Sequence, residues 1–218
     1  MKPMARWFSI ALHPLFMPLY TLLLAFNLDF HLSFFLAPRI LALPVLGEVI
    51  VRDEHLLFGL VFVMTVLFPL TSAVFLQRGG MVSDLTMPAR RERIAPYLLS
   101  LFYYGMTYWL LRRAEQHESV YAMFTGAILV LVLVTAITFR WKISAHMAGI
   151  GGLVGAVTGL FALHGSFSIG VIAIAIVIAG LLGSARMIDS DHSPTQIGAG
   201  AGLGFGIVFL CVFGSLHI

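Results

Sequence analysis

Apolar runs of about 20 residues recur along almost the whole chain, separated by short polar breaks. A helix needs a run of about that length to cross the hydrocarbon of a bilayer, so the pattern predicts spans at 6–28, 55–76, 95–112, 120–139, 144–163, 167–184 and 197–216. Between the first two, "FFLAPRILALPVLGEVIV" carries Pro38, Arg39 and Pro44 and reads as an interfacial or re-entrant piece, not a further span. The third run, "YLLSLFYYGMTYWLL", is short, with Tyr and Trp placed as in an interfacial belt. The beginning, "MKPMARWFSIALHPLFMPLYTLLLAF", has a basic start and an apolar stretch, as a signal peptide does. Pro14 and Pro18 interrupt it and no small-residue cleavage site follows, so it reads as a retained first helix. The expected fold class is all-α: a polytopic membrane helical bundle of about six to seven transmembrane helices, one domain over 1–218.

Composition agrees. Hydrophobic residues make up 60% and charged residues 11%, against roughly a quarter charged in soluble chains. The mean hydropathy is +0.98. A soluble domain, a long linker and a low-complexity tail are all absent from this pattern. A pI near 9.3 raises nucleic acid as a partner, but a net charge of +3 on a membrane chain is accounted for by loop arginines near lipid headgroups, and no nucleic acid is expected. Cys211 lies alone inside an apolar run and implies no disulfide framework.

Alternation of the spans has a consequence for the polar residues. Connections 2–3, 4–5 and 6–7 must emerge on one side of the bilayer, and they carry "QRGGMVSDLTMPARRERIAP", "FRWKISAH" and "SARMIDSDHSPTQ". Nearly all concentrated polar chemistry thus converges on one face. That face has Lys2, Arg6, Arg78, Arg90, Arg91, Arg93, Arg140, Lys142 and Arg186, against Arg39, Arg52, Arg112 and Arg113 opposite. Taken whole, the count places the polar face in the cytoplasm. Setting aside Arg90, Arg91, Arg93, Lys142 and Arg186 as site residues leaves the two sides equal, so both orientations stay open.

Ionisable residues at a membrane boundary are costly and are functional candidates by default. Arginine binds phosphate through a planar fork that stays charged, and histidine can attack phosphorus or donate a proton near neutral pH. His146 and His192 both stand at the start of a span, where free N–H groups and the helix dipole favour an anion. The three clusters together therefore read as a phosphate site. The alternating glycines "GAGAGLGFG" (198–206) lack the strand context of a dinucleotide loop. Gly198, Gly202 and Gly206, like Gly151, Gly155 and Gly159, are spaced by four and are expected to pack spans seven and five closely, bringing the two histidines together.

These residues resemble a family, the type 2 phosphatidic acid phosphatase superfamily. Its three motifs are Lys, six residues, Arg-Pro; then Pro-Ser-Gly-His; then Ser-Arg, five residues, His, three residues, Asp. Here Arg186 is followed by five residues and His192, and "ISAH" (143–146) places Ser144 and His146 in register with the second motif. The resemblance covers roughly 78–206, within a phosphatase-like core of about 78–216. It implies that His192 is the nucleophile forming a phosphohistidine, that His146 is the acid, that Arg186 grips the phosphoryl oxygens, and that neither metal nor cofactor is needed. Gln196 stands where most of the family has the Asp that orients the nucleophile, as in its dolichyl-diphosphatase and glucose-6-phosphatase branches; an amide oxygen can still accept from the imidazole N–H. Ala145 replaces Gly, Ile143 replaces Pro, and Ala185 separates Ser184 from Arg186. In the first motif, "PARRERIAP" has no lysine at the expected distance; Arg91 and Arg93 are carried over as phosphate ligands, and Lys142 as a substitute ammonium.

The expected function is an integral membrane lipid phosphatase acting on a phosphate monoester or diphosphate, either an isoprenyl diphosphate or a glycerophospholipid phosphate. Its partners would be that substrate and membrane lipids, with a homo-oligomer allowed, and its place a bacterial inner membrane. Two alternatives stand beside it. One is a non-catalytic lipid-binding or transport protein on a degenerate phosphatase fold. The other is a Mg2+-dependent prenyltransferase using Asp84, Asp189 and Asp191. Plainer readings also exist: loop charges for lipid headgroups, and an Arg186 salt bridge to Asp189 or Asp191. The remaining histidines, including His13 and His164, fall in no motif of the sequence.

Overall fold

The computed structural model describes residues 2–28, 39–43, 47–51, 53–87, 89–114, 116–190 and 192–217. Its elements are α1 (Lys2–Ala11), α2 (Met17–Asn27), β1 (Arg39–Leu43), β2 (Gly47–Val51), α3 (Asp53–Phe62), α4 (Phe68–Arg78), α5 (Ile94–Arg113), α6 (Glu118–Thr138), α7 (Ala145–Leu163), α8 (Ile169–Ser190) and α9 (Pro194–Phe213). The architecture is a polytopic helical bundle, and the protein is a multi-pass membrane protein. Among the described residues, six segments are long and apolar enough to cross a membrane: Lys2–Asn27, His55–Arg78, Glu118–Thr138, Ala145–Leu163, Ile169–Asp189 and Pro194–Phe213. Their outward faces carry side chains such as Trp7, Phe75, Ile169 and Leu210, each more than 60% exposed, as lipid contact requires. The third expected span, 95–112, is the helix α5, which is long enough but is not among the six, because tyrosines, a serine and a terminal arginine pair dilute its apolar character. Of the ambiguous segment, β1 and β2 form a short antiparallel ribbon with Arg39 opposite Val51, so its described residues add no span; Pro38 and Pro44 lie outside the described residues.

Prolines shape the first two spans. The first is broken: α1 ends at Ala11, Pro14–Phe16 make a 3-10 turn, and α2 starts at Met17. In the second, Pro69 has no N–H to offer the carbonyl four residues back and its ring crowds that carbonyl. The helix accommodates this by widening into a π turn over Val63–Leu67 between α3 and α4.

α8 overturns one expectation. The sequence pattern places residues 184–190 in a loop, but α8 continues through Ser190, since Ala185, Arg186, Met187 and Ile188 contain no breaker. Pro194 at the first position of α9 then starts the next helix, so only residues 191–193 connect the two. Arg186 thereby lies in the last two turns of α8 and His192 just ahead of α9.

The core is the α7–α9 pair, the most extensive helix contact in the bundle. Half of the glycine expectation holds. A Cβ on Gly151 would collide with the Ala201 carbonyl, one on Gly155 with that of Phe205, and one on Gly159 would press on Val212 at 3.1 Å. The α9 side is a correction. A Cβ on Gly198, Gly202 or Gly206 would meet nothing within 4 Å; Gly200 and Gly204 face α7 instead, against the carbonyls of Ser144 and Ala148. Two glycine series at spacing four interleave on α9, offset by two residues and so by roughly 200° around the helix. Only the tertiary contact selects between them. Backbone contact this close also places the start of α7 on α9 directly: the Ser144 N–H donates to the Gln196 carbonyl at 3.4 Å.

Candidate functional site

His192 precedes Ser193, the N-cap of α9, and is 5% exposed. Ser193 and Gln196 form a capping box: the Gln196 N–H donates to Ser193 Oγ at 3.3 Å, and the Ser193 N–H donates to Gln196 Oε1 at 3.2 Å. The same Oε1 lies 3.0 Å from His192 Nδ1. A backbone N–H can only donate, so the atom it meets is the amide oxygen. An oxygen facing Nδ1 in turn requires Nδ1 to carry the proton. In the neutral ring Nε2 then holds the lone pair, and it has no hydrogen-bond partner among the described residues. Burial pushes the His192 pKa down from 6.5 to about 4; the bond to Gln196 opposes this, while the Arg186, Arg93 and Lys142 charges add to it. His192 is thus neutral and held in one tautomer at physiological pH.

His146 is the second residue of α7, whose N-cap is Ser144. Its Nε2 lies 3.1 Å from the Ser9 carbonyl on α1. A carbonyl only accepts, so Nε2 bears a proton, and Nδ1 is the nitrogen left for other chemistry. His13, in the break between α1 and α2, packs edge-on to His146 with ring centroids 5.1 Å apart.

Two arginines complete the polar cluster. Arg93, at the end of a 3-10 turn (Arg90–Arg93), is 8% exposed, and its Nε donates to the Met87 carbonyl at 2.9 Å. Met87 adopts φ 47°, a left-handed conformation uncommon for a side chain of its kind. Arg186, on α8, has 11% side-chain exposure and lies 3.7 Å from Asp189, one turn on.

His13, His146, His192, Arg93, Arg186 and Tyr97 together line one end of a cavity of about 230 Å3. From this polar end the cavity runs into the bundle between α2, α4, α5, α6 and α7, along Leu22, Leu70, Phe124, Leu131 and Leu153. On α6 the lining extends from Val134 to Met123, about 16 Å at the helical rise. The space is therefore amphipathic: a small cationic and imidazole-rich head joined to a long apolar shaft.

Of the residues expected from sequence, the structure brings His192, His146, Gln196, Arg186 and Arg93 together. Three others sit differently. Ser144 is fully buried, and its hydroxyl accepts the Met147 N–H as the α7 cap, so it supports the helix and does not line the cavity. Arg91 is exposed on the outer side of the 3-10 turn, away from the lining, because residues two apart in a 3-10 turn point in directions roughly 120° apart. Lys142 is half-buried and acts on His192 through its charge, without lining the cavity. Two aspartates of the metal reading are engaged elsewhere. Asp189 faces Arg186, and Asp84 accepts the Thr86 N–H at 2.6 Å in its own loop, while Asp191 lies outside the described residues. Among the described residues no three His, Cys, Asp or Glu side chains group as metal ligands do.

Sequence reasoning does not reach the part played by His13 and Ser9. The available signal is the His-Pro break inside a membrane span: prolines interrupt such helices where a cavity is lined, and a polar side chain there is costly without a use. Compared with family models, with curated proteins and with solved structures, the chain matches none.

Proposed function

We propose that the protein is an integral membrane lipid phosphatase, of a bacterial inner membrane, that hydrolyses a phosphate monoester or diphosphate through a phosphohistidine. The observation that carries this reading is the tautomer of His192: Gln196 holds Nδ1–H, leaving the lone pair on Nε2 of a residue that lines a cavity with Arg93 and Arg186. Support for a lipid substrate comes from the apolar shaft, which suits a tail, next to a cationic head, which suits phosphate. With no matching family, the proposal rests on motif spacing and site geometry.

The residues allow a balanced sequence. His192 Nε2 attacks phosphorus and forms an N–P bond as the P–O bond to the lipid breaks. The leaving oxygen takes a proton from Nδ1 of a charged His146, whose Nε2–H stays on the Ser9 carbonyl. Arrival of the phosphate dianion beside Arg93 and Arg186 is what makes charging His146 favourable. Water then attacks phosphorus, His146 recovers a proton from it, and the N–P bonding pair returns to His192. Arg93 and Arg186 hold charge that develops on the equatorial oxygens.

The test is phosphate release in detergent, with EDTA present, from a panel of isoprenyl diphosphates and glycerophospholipid phosphates. Release from at least one of them is expected. Folded protein that releases none would favour the non-catalytic reading, and release requiring Mg2+ would remove this mechanism. Gln196→Leu, which keeps the size but removes the acceptor, is expected to lower kcat by about 10- to 100-fold, because the ring is then free to take the other tautomer. Gln196→Glu should retain more activity than Gln196→Leu. Equal rates for wild type and Gln196→Leu would show that the tautomer is held by something else.

A further inference from the structure

The break in the first span places His13 at the polar end of the cavity, with His146 edge-on to it. Its Nδ1 caps the 3-10 turn by accepting the Leu15 N–H at 3.3 Å. That bond requires Nδ1 to be unprotonated, so the ring is neutral and its one proton lies on Nε2. Among the described residues Nε2 has no hydrogen-bond partner. A neutral imidazole so held cannot act as an acid without becoming an imidazolate, but it is a well-oriented N–H donor. It stands with Arg93 and Arg186, the two cations that line the same end.

We propose that His13 is a phosphate-binding residue: its Nε2–H donates to a phosphoryl oxygen of the substrate, a third donor beside Arg93 and Arg186 that adds no charge. This rests on the phosphatase reading and deepens it, since it makes the N-terminal break part of the site. Adding a donor without charge has a physical benefit here. A third cation beside two arginines and a histidine that must charge would raise the cost of charging His146, whereas a neutral donor strengthens anion binding without that penalty. Pro14 opens the turn and Pro18 follows it in α2, and together they restrict its backbone, which pre-orders the ring.

Two substitutions separate donation from capping. His13→Asn places an amide oxygen near the Nδ1 position and keeps the cap, but cannot reach with an N–H. His13→Gln places an amide N–H near the Nε2 position. The measurement is inorganic phosphate binding to detergent-solubilised protein by titration calorimetry, beside kcat and KM on the best lipid phosphate. A hydrogen bond to a charged partner accounts for roughly a 10- to 100-fold change. We expect His13→Asn to weaken phosphate binding by that factor with its thermal unfolding unchanged, and His13→Gln to restore part of it. Unchanged binding in His13→Asn would overturn the inference, as would equal losses in both variants, which mark a structural role. If His13→Asn does not fold, His13→Gln against His13→Met, of which only the first has an N–H, reads the same difference. Wild-type protein that hydrolyses lipid phosphate while His13→Asn binds phosphate normally removes this inference alone; wild type that neither binds phosphate nor hydrolyses any lipid removes the phosphatase reading with it.

Discussion

His192→Gln is expected to abolish phosphate release, by at least about 10^4-fold in kcat, with the bundle still folded. The substitution removes the Nε2 lone pair and leaves an amide of similar reach, so the loss reports the nucleophile and not the packing. A stronger form of the test traps the intermediate. Wild-type protein quenched in alkali during turnover of a 32P-labelled lipid phosphate should retain label that acid removes, as an N–P bond does, and His192→Gln should retain none. The pH profile adds a second readout. Burial and the nearby Arg186, Arg93 and Lys142 charges hold the His192 pKa at about 4, below its ordinary 6.5. The neutral, attacking form therefore persists down to about pH 4 and is lost only below it. The nucleophile should contribute an acid limb to kcat/KM near that pH, with no loss attributable to it under milder acid. Label retained by His192→Gln, or release that survives the substitution, would sink the phosphohistidine mechanism.

Gly204→Ala should be the most damaging methyl that can be added to the core. A Cβ there would collide with the Ala148 carbonyl oxygen and come within 2.8 Å of the Gly152 nitrogen. All of these are backbone atoms and cannot rotate away, so α7 and α9 must separate. Overpacking of this kind costs about 1–3 kcal/mol. Separation also moves His192 away from His146, because the two stand at the starts of the separating helices. The expected outcome is a lower unfolding temperature in detergent and a loss of phosphate release larger than the stability change alone explains. Gly202→Ala is the control: nothing lies within 4 Å of that position, and it should leave both quantities unchanged. Equal stability of the two variants would mean that α7 and α9 do not meet as described.

Which of these features can be written from the sequence differs by element. The spans are legible because lipid leaves an uninterrupted apolar helix few alternatives, and the boundaries of α6 and α7 fall within one or two residues of the expected ones. α5 is the exception, since its tyrosines make a helix that packs against neighbours less apolar than one that faces lipid. Motif spacing also brings out His192, Gln196, Arg186 and His146, whose local order along the chain carries their chemistry. The convergence of three loops follows from counting seven helices with α5 included, and Arg93, His146 and His192 line one cavity as that count requires.

Other features need the tertiary structure. Periodicity states that glycines recur every fourth residue, but α9 has two such series, and only contact with α7 chooses Gly200 and Gly204 over Gly198, Gly202 and Gly206. Likewise the arginine-rich turn offers Arg91 and Arg93 as equivalent ligands; the fold buries Arg93 against Met87 and leaves Arg91 outside. The largest gap is at the other end of the chain. Ser9 and His13 lie more than 130 residues from His146 and carry no motif, yet the broken first span folds them onto it. The sequence by itself determined that this is a bundle of membrane helices with a polar face and which residue types stand there, because solvation in lipid and local spacing are properties of the chain. Which of those residues share one cavity was decided only by the packing of helices, because a contact between distant segments depends on every helix that lies between them.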